Sequence, residues 1–209
     1  MRLAPTLIPL LHLAIAAPTN PLERRQNLPV GDQIQIQTVT VAGNGCPSGT
    51  FTNQISLDRT AVTLGFDQFA AELTPASDRD RTCAVVVQAR YPIGCITTVV
   101  ENTQHGFAEL PSGVVGNLQA AYAVTPGSIV GSASSQTSLS GEGWAFGQPW
   151  LKTDRISTAV STTSTSRDVF MVVNFRDLLT TAGSATLASL RTDDMTIAFT
   201  DQRRSPGQC

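Results

Sequence analysis

Few residues in this chain are equipped for chemistry. Beyond the first thirty positions there is one histidine, His105, in Gln104-His105-Gly106. Hydroxyl-based catalysis needs an imidazole to take the proton, and no Gly-x-Ser-x-Gly elbow accompanies this one. A lone histidine beside a glycine reads as a surface residue of a loop. Glycoside hydrolysis needs two carboxyls at a set separation across a cleft. Asp58, Asp67, Asp78, Asp80, Glu101, Glu109 and Glu142 are all available, and their spacing pairs none of them. A copper site built on an N-terminal histidine is excluded, because neither Ala17 nor Gln26 is histidine. Asp78-Arg79-Asp80 and Asp193-Asp194 are carboxylate pairs without the spacing of a calcium loop, and the neighbouring arginines argue for local ion pairing. No Cys-x-x-Cys or Cys/His spacing suggests zinc. No metal and no cofactor are therefore expected.

Binding is the better supported class. Trp144, Phe146 and Trp150 fall within seven residues amid Gly and Pro. Exposed, they would stack on sugar rings or meet a protein partner. The plainer reading makes them large core residues of a chain with few aromatics.

Composition sets the frame. The chain has 209 residues, 41% hydrophobic and only 14% charged, against roughly 25% charged in ordinary soluble chains. Ser, Thr, Gly and Val fill the gap, the profile of a strand-rich extracellular domain. Arg2, the apolar run 7–15 and Ala14-Ile15-Ala16 read as a signal peptide over residues 1–16. That run is well short of the roughly 20 residues a membrane span needs. Residues 17–25 read as a pro-segment ending at the dibasic pair Arg24-Arg25, which leaves a single domain over 26–209. The expected mature chain carries eleven basic and fifteen acidic residues, a net charge of −4. With one lysine, Lys152, and no basic patch, nucleic acid and anionic membranes are not expected partners. Four cysteines remain, Cys46, Cys83, Cys95 and Cys209. In a secreted chain an even count predicts two disulfides, with three pairings open.

The elements that must position these residues read as strands. In 33–42, Ile34 and Ile36 alternate with glutamines, and Val39 and Val41 then fall out of phase. A bulge near Thr38 would restore a common face. The turn-rich corner 43–50 follows. Residues 83–90 alternate strongly, and Val86 on the second face suggests a central strand covered on both sides. Residues 95–100 and 107–110 read as strands joined by a hairpin loop over 101–106. Residues 114–124, 155–161, 169–175 and 195–199 read as further strands. Residues 128–140 read as an edge strand or loop, and 178–190 as a short helix or a loop with a strand. Roughly ten short strands at even spacing predict an all-β, antiparallel, jelly-roll-like sandwich tied by disulfides.

The corner Gly43-Asn44-Gly45-Cys46-Pro47-Ser48-Gly49-Thr50 carries a resemblance. With it go Ile55-Ser56-Leu57-Asp58-Arg59-Thr60, Thr63-Leu64-Gly65-Phe66-Asp67, Arg81-Thr82-Cys83, Tyr91-Pro92-Ile93-Gly94, Gly106-Phe107-Ala108-Glu109-Leu110 and the terminal cysteine. Together they resemble a family of small secreted proteins, abundant in filamentous fungi and found in bacteria, known as a domain of unknown function. The resemblance implies a secreted β-sandwich with two disulfides and no established activity. It covers Asp58 and Asp67, which become the better carboxylate candidates, although a turn cap and a strand end account for them more simply. Such proteins carry their third cysteine late, in a Ser-Pro-Cys-Gly turn. Here that region reads Thr162-Thr163-Ser164-Thr165-Ser166, and Cys95 stands elsewhere instead. The pairing the resemblance favours is Cys46–Cys83 and Cys95–Cys209.

The sequence is therefore read as a secreted, non-enzymatic binding module for cell-wall glycan or an extracellular protein. A small hydrolase using paired carboxylates, or a structural wall protein, stands as the alternative.

Overall fold

Alternating apolar residues and tight turns build twelve antiparallel strands in the computed structural model, which describes residues 33–74, 79–182 and 187–204. They are β1 (Gln35–Ala42), β2 (Phe51–Ile55), β3 (Ala61–Phe66), β4 (Ala70–Glu72), β5 (Asp80–Arg90), β6 (Gly94–Glu109), β7 (Val114–Thr125), β8 (Ser128–Val130), β9 (Ser134–Leu139), β10 (Gln148–Thr162), β11 (Asp168–Thr181) and β12 (Ser189–Arg204). One sheet has the order β1-β5-β11-β7-β9. The other runs β2-β3-β12-β6-β10-β8, with β4 also on β12. Their apolar faces meet in an antiparallel β-sandwich.

The bulge expected in the first strand is present. The β1–β5 register shifts between Ile36 and Thr38, so Val39 and Val41 pack against the same cluster as Ile34 and Ile36. The corner after β1 closes onto the start of β5. Cys46 bonds Cys83 with Cα atoms 5.6 Å apart. Asn44 accepts from the Thr82 amide at 2.7 Å, and Gly45 N–H donates to Thr82 O at 2.9 Å. Gly43 has no room for a side chain, since a Cβ would stand 2.2 Å from Thr82 O.

Several expectations need correcting. The strands are longer than read: β6 and β12 each have 16 residues, β10 has 15 and β11 has 14. The hairpin loop at 101–106 does not exist; those residues run through the middle of β6. Residues 178–181 finish β11, and 189–190 begin β12. Residues 128–140 supply two edge strands, β8 and β9, one to each sheet. Val86 lies in a central strand but is only half-buried, because this antiparallel sheet packs on one face and leaves the other open.

The interior holds two apolar clusters. The larger gathers Ile34, Val62, Val85, Val100, Ile156, Val173 and Phe199 among others. The smaller gathers Ala108, Leu118, Trp150, Leu179 and Leu190 among others. Trp150 lies against Gly106, where a Cβ would stand 1.9 Å from Arg191 O and 2.4 Å from the indole. The Gly106→Ala variant should therefore lose about 1–3 kcal/mol by overpacking, read from urea unfolding; wild-type stability would show that β12 and Trp150 yield freely.

Cys95 is disulfide-bonded, while Cys209 lies outside the described residues. Peptide mapping without reduction should recover Cys95 joined to Cys209, and a free Cys209 thiol would refute that pairing.

Candidate functional site

The register of the five-stranded sheet lays two rows of side chains across its open face. Ala42, Ala84, Asn174, Ala121 and Ser134 are successive neighbours on β1, β5, β11, β7 and β9. Beside them run Thr82, Arg176, Gln119 and Gln136. Three alanines and a serine leave the first row low. The second row stands higher, and the result is an open groove of about 550 Å3 crossing all five strands. At a strand spacing of about 4.8 Å it is roughly 19 Å long.

Polar groups hold the rim in place. Gln119 Nε2 donates to Gln136 Oε1 at 3.3 Å, and Gln136 Nε2 donates to Asn117 Oδ1 at 3.2 Å. Arg176 forks onto both oxygens of Asp80 at 2.8 and 2.7 Å. That contact holds the Asp80 carboxyl below the usual carboxylate range and cancels the one full positive charge in the groove. At one end stands the Gly43–Thr50 corner, with Asn44 fixing Thr82.

Under this sheet, between the two apolar clusters, lies a belt of buried polar side chains. β6 contributes Asn102 and Gln104, β10 contributes Lys152 and Asp154, β11 contributes Asp177 and β12 contributes Thr192, all 9% exposed or less. Cross-strand pairing sets Asn102 beside Asp154 and Gln104 beside Lys152. Asp154 Oδ2 accepts from Tyr122 at 2.6 Å, from Ser135 at 2.8 Å and from Lys152. Lys152 also donates to Ser135 Oγ at 2.7 Å, and Asn102 donates to the Tyr122 hydroxyl at 2.9 Å. Burial pushes Asp154 upward, but the bonds from Lys152, Tyr122 and Ser135 outweigh it and hold the carboxyl below its ordinary value. Burial pushes Tyr122 up, and its bond to Asp154 adds to the shift. Asp177 differs. Burial pushes it up to about 7, against a bond from Thr192 at 2.7 Å and the Lys152 charge.

The expected site residues are dispersed. Trp150 is a core residue, 6% exposed, because it alternates inward on β10. Trp144 is half-buried against the smaller cluster, and Phe146 alone is fully open at 94%. The three do not form one exposed patch. His105 is a strand residue rather than a loop residue, with Nδ1 2.7 Å from Asp194 Oδ1. Asp58 caps the β2–β3 turn, bonded by Ser56 and Thr60, which hold it below its ordinary value against slight burial. Asp67 lies beyond the other end of β3. Six strand residues between them mean roughly 20 Å, too far for the paired carboxyls of a glycosidase. Asp80 pairs with Arg176, not with its sequence neighbours Arg79 and Arg81, and Asp193 pairs with Arg191. Among the described residues no group of three potential metal ligands converges, and no helix is long and apolar enough to cross a membrane. Asp78, Arg24 and Arg25 lie outside the described residues.

The groove was missed because no single segment carries it. Its residues are short or amidic and scattered over five strands. Only register brings them together.

Fold and groove together define an antiparallel β-sandwich with an open, polar, charge-balanced face. More particularly, residues 32–205 match the family model "Domain of unknown function (DUF4360)", and the chain belongs to that family. A relative from Arthroderma benhamiae, described as an uncharacterized secreted protein, is 34% identical over 113 residues. That match covers 48% of this chain and 46% of the relative, so the alignment spans about half of each. Among solved structures, the module TmCBM61, in complex with β-1,4-galactotriose, aligns over 82% of this chain and 91% of its own. Its identity is 11% and its TM-score 0.24, a likeness too loose to guide any reading of ligand or activity.

Asp177 gives the belt a signature in solution. The folded carboxyl keeps its proton to about pH 7, whereas an unfolded one ionises near about 3.9. In that window the folded state binds more protons, so stability falls as pH rises from about 4 to 7 and levels above. The Asp177→Asn variant should lose this fall, read as melting temperature against pH; an unchanged slope would assign it to another group.

Proposed function

We propose that the chain is a non-enzymatic extracellular binding module that takes an extended, uncharged polysaccharide in the groove across the five-stranded sheet. The observation that carries this is the pair of side-chain rows, Ala42-Ala84-Asn174-Ala121-Ser134 beside Thr82-Arg176-Gln119-Gln136. Alanine methyls suit the C–H faces of pyranose rings. Carboxamides both donate and accept, as neighbouring sugar hydroxyls require. With Arg176 neutralised by Asp80, the groove has no field to select an anionic ligand. A trench of roughly 19 Å matches roughly three or four linked sugars. The secreted relative and the signal-like segment at 1–16 support an extracellular setting. Catalysis finds no support in the separation of Asp58 from Asp67, nor in the enclosure of Asp154 and Asp177.

The test is retention of the purified protein on insoluble chitin, β-glucan and cellulose, with the supernatant assayed for released sugar. Retention without release is expected on at least one of them. Ala121 is exposed on the open face, so Ala121→Trp fills the groove without entering the core. It should weaken retention by about tenfold or more, roughly 1.4 kcal/mol, while Phe146→Ala leaves retention unchanged. Equal retention by Ala121→Trp, or sugar release that tracks the protein, would overturn the reading.

A further inference from the structure

Asn44-Gly45 is the only Asn-Gly step in the sequence. Among asparagine steps this is the quickest to deamidate, because glycine has no side chain to hinder its nitrogen from attacking the neighbouring carboxamide. The fold nevertheless needs both residues. A Cβ at Gly45 would stand 2.5 Å from the Phe69 ring. The Asn44 side chain must accept and donate together, as a carboxamide does. Its Oδ1 accepts from the Thr82 amide at 2.7 Å and from Thr82 Oγ1 at 3.1 Å, and its Nδ2 donates to Asp80 O at 3.1 Å. The nitrogen that would attack is held as well. Gly45 is buried, and its N–H donates to Thr82 O at 2.9 Å. One residue, Thr82, therefore clamps both reacting groups. Cys46 and Cys83 are the next residues along each strand, and their bond staples the clamp shut. The Asn44 residue itself is exposed, so water reaches it.

We propose that Asn44 is a latent modification site, which deamidates through a succinimide once the Cys46–Cys83 bond is lost. While the corner is closed the step is blocked, since neither group can turn into the attack geometry when bonded to Thr82. Without the disulfide the corner opens locally and frees the Gly45 nitrogen. The Gly45 N–Asn44 Cγ bond then forms and the Cγ–Nδ2 bond breaks. The Gly45 amide proton leaves with Nδ2 as ammonia. One water opens the ring at either carbonyl, giving aspartate or isoaspartate at position 44. Nothing is oxidised or reduced in this step. The two electrons that open the disulfide beforehand come from a thiol reductant, itself oxidised to a disulfide. The product has no Nδ2 donor. It presents a carboxylate to the Asp80 carbonyl, acceptor against acceptor, and the isoaspartyl form also adds a methylene to the main chain. The corner is then barred from closing as before, so the change outlasts re-oxidation.

The test is incubation of the secreted protein at mildly alkaline pH, then trypsin digestion and mass spectrometry. The readout is the fragment spanning residues 26–59, heavier by about 1 Da where an amide has become an acid. Fragmentation places the change at Asn44, and enzymatic methylation counts the isoaspartate. The oxidised, folded protein should deamidate there at least about tenfold more slowly than the same protein unfolded in urea with its disulfides intact. The Cys46→Ser/Cys83→Ser variant, with the circular dichroism of the folded sandwich, should approach the unfolded rate. Equal rates in folded and unfolded wild type would overturn the clamp. A folded variant as slow as oxidised wild type would overturn control by the disulfide. If that variant fails to fold, wild type reduced by a dithiol gives the same comparison with its circular dichroism followed alongside, and loss of the whole fold on reduction would overturn a local latch.

Discussion

Lys152 and Asp154 are opposite charges held inside a sandwich, and much of the architecture follows from keeping them satisfied. Enclosed charges are tolerated only when paired and fully hydrogen-bonded. Asp154 draws donors from β7 and β9 as well as from its own strand, through Tyr122, Ser135 and Lys152. The belt therefore fixes how the two sheets sit on each other at the β9–β10 edge. It also fixes register. A one-residue slip of β10 would turn Lys152 and Asp154 outward and bring Leu151 and Arg155 into the interior. Apolar packing alone would distinguish neighbouring registers less sharply than these paired charges do.

The belt also explains where the sequence misleads. The sandwich and the bulge after Ile36 were legible, because each rests on alternation or a phase shift within one segment, whereas the Cys46–Cys83 tie came from the family resemblance, the cysteine count alone leaving three pairings open. The long strands were not. Inward positions Asn102 and Gln104 on β6, Lys152 and Asp154 on β10, Asp177 on β11 and Thr192 on β12 are polar. Each replaces an apolar residue at the point where the alternation would have continued. Read by hydropathy, β6 splits into two strands and a loop, β10 keeps only its later part, β11 stops at Phe175 and β12 starts at Met195. The extra residue at Asp193, where the β12–β6 register shifts, adds a break in phase. One buried layer thus conceals parts of four strands.

The groove was hidden for a different reason. Its residues have no pattern in sequence, since register alone aligns Ala42, Ala84, Asn174, Ala121 and Ser134. The two features meet on β9. Ser134 and Gln136 face the groove, while Ser135 between them turns inward to Lys152 and Asp154. An edge strand that would otherwise be held only by β7 is thereby anchored from within. The open face owes part of its rigidity to charges it never shows.

With Lys152 enclosed, the described surface presents guanidinium groups such as Arg59, Arg155, Arg176 and Arg191, and no side-chain primary amine. Amines and guanidinium groups differ in reactivity as well as in shape. Reducing ends of sugars condense with amines far more readily than with arginine. A protein of this composition gives glycation no exposed lysine to attack. It likewise offers amine-directed labels no exposed side chain. The residue that makes the interior unusual also makes the exterior chemically quiet.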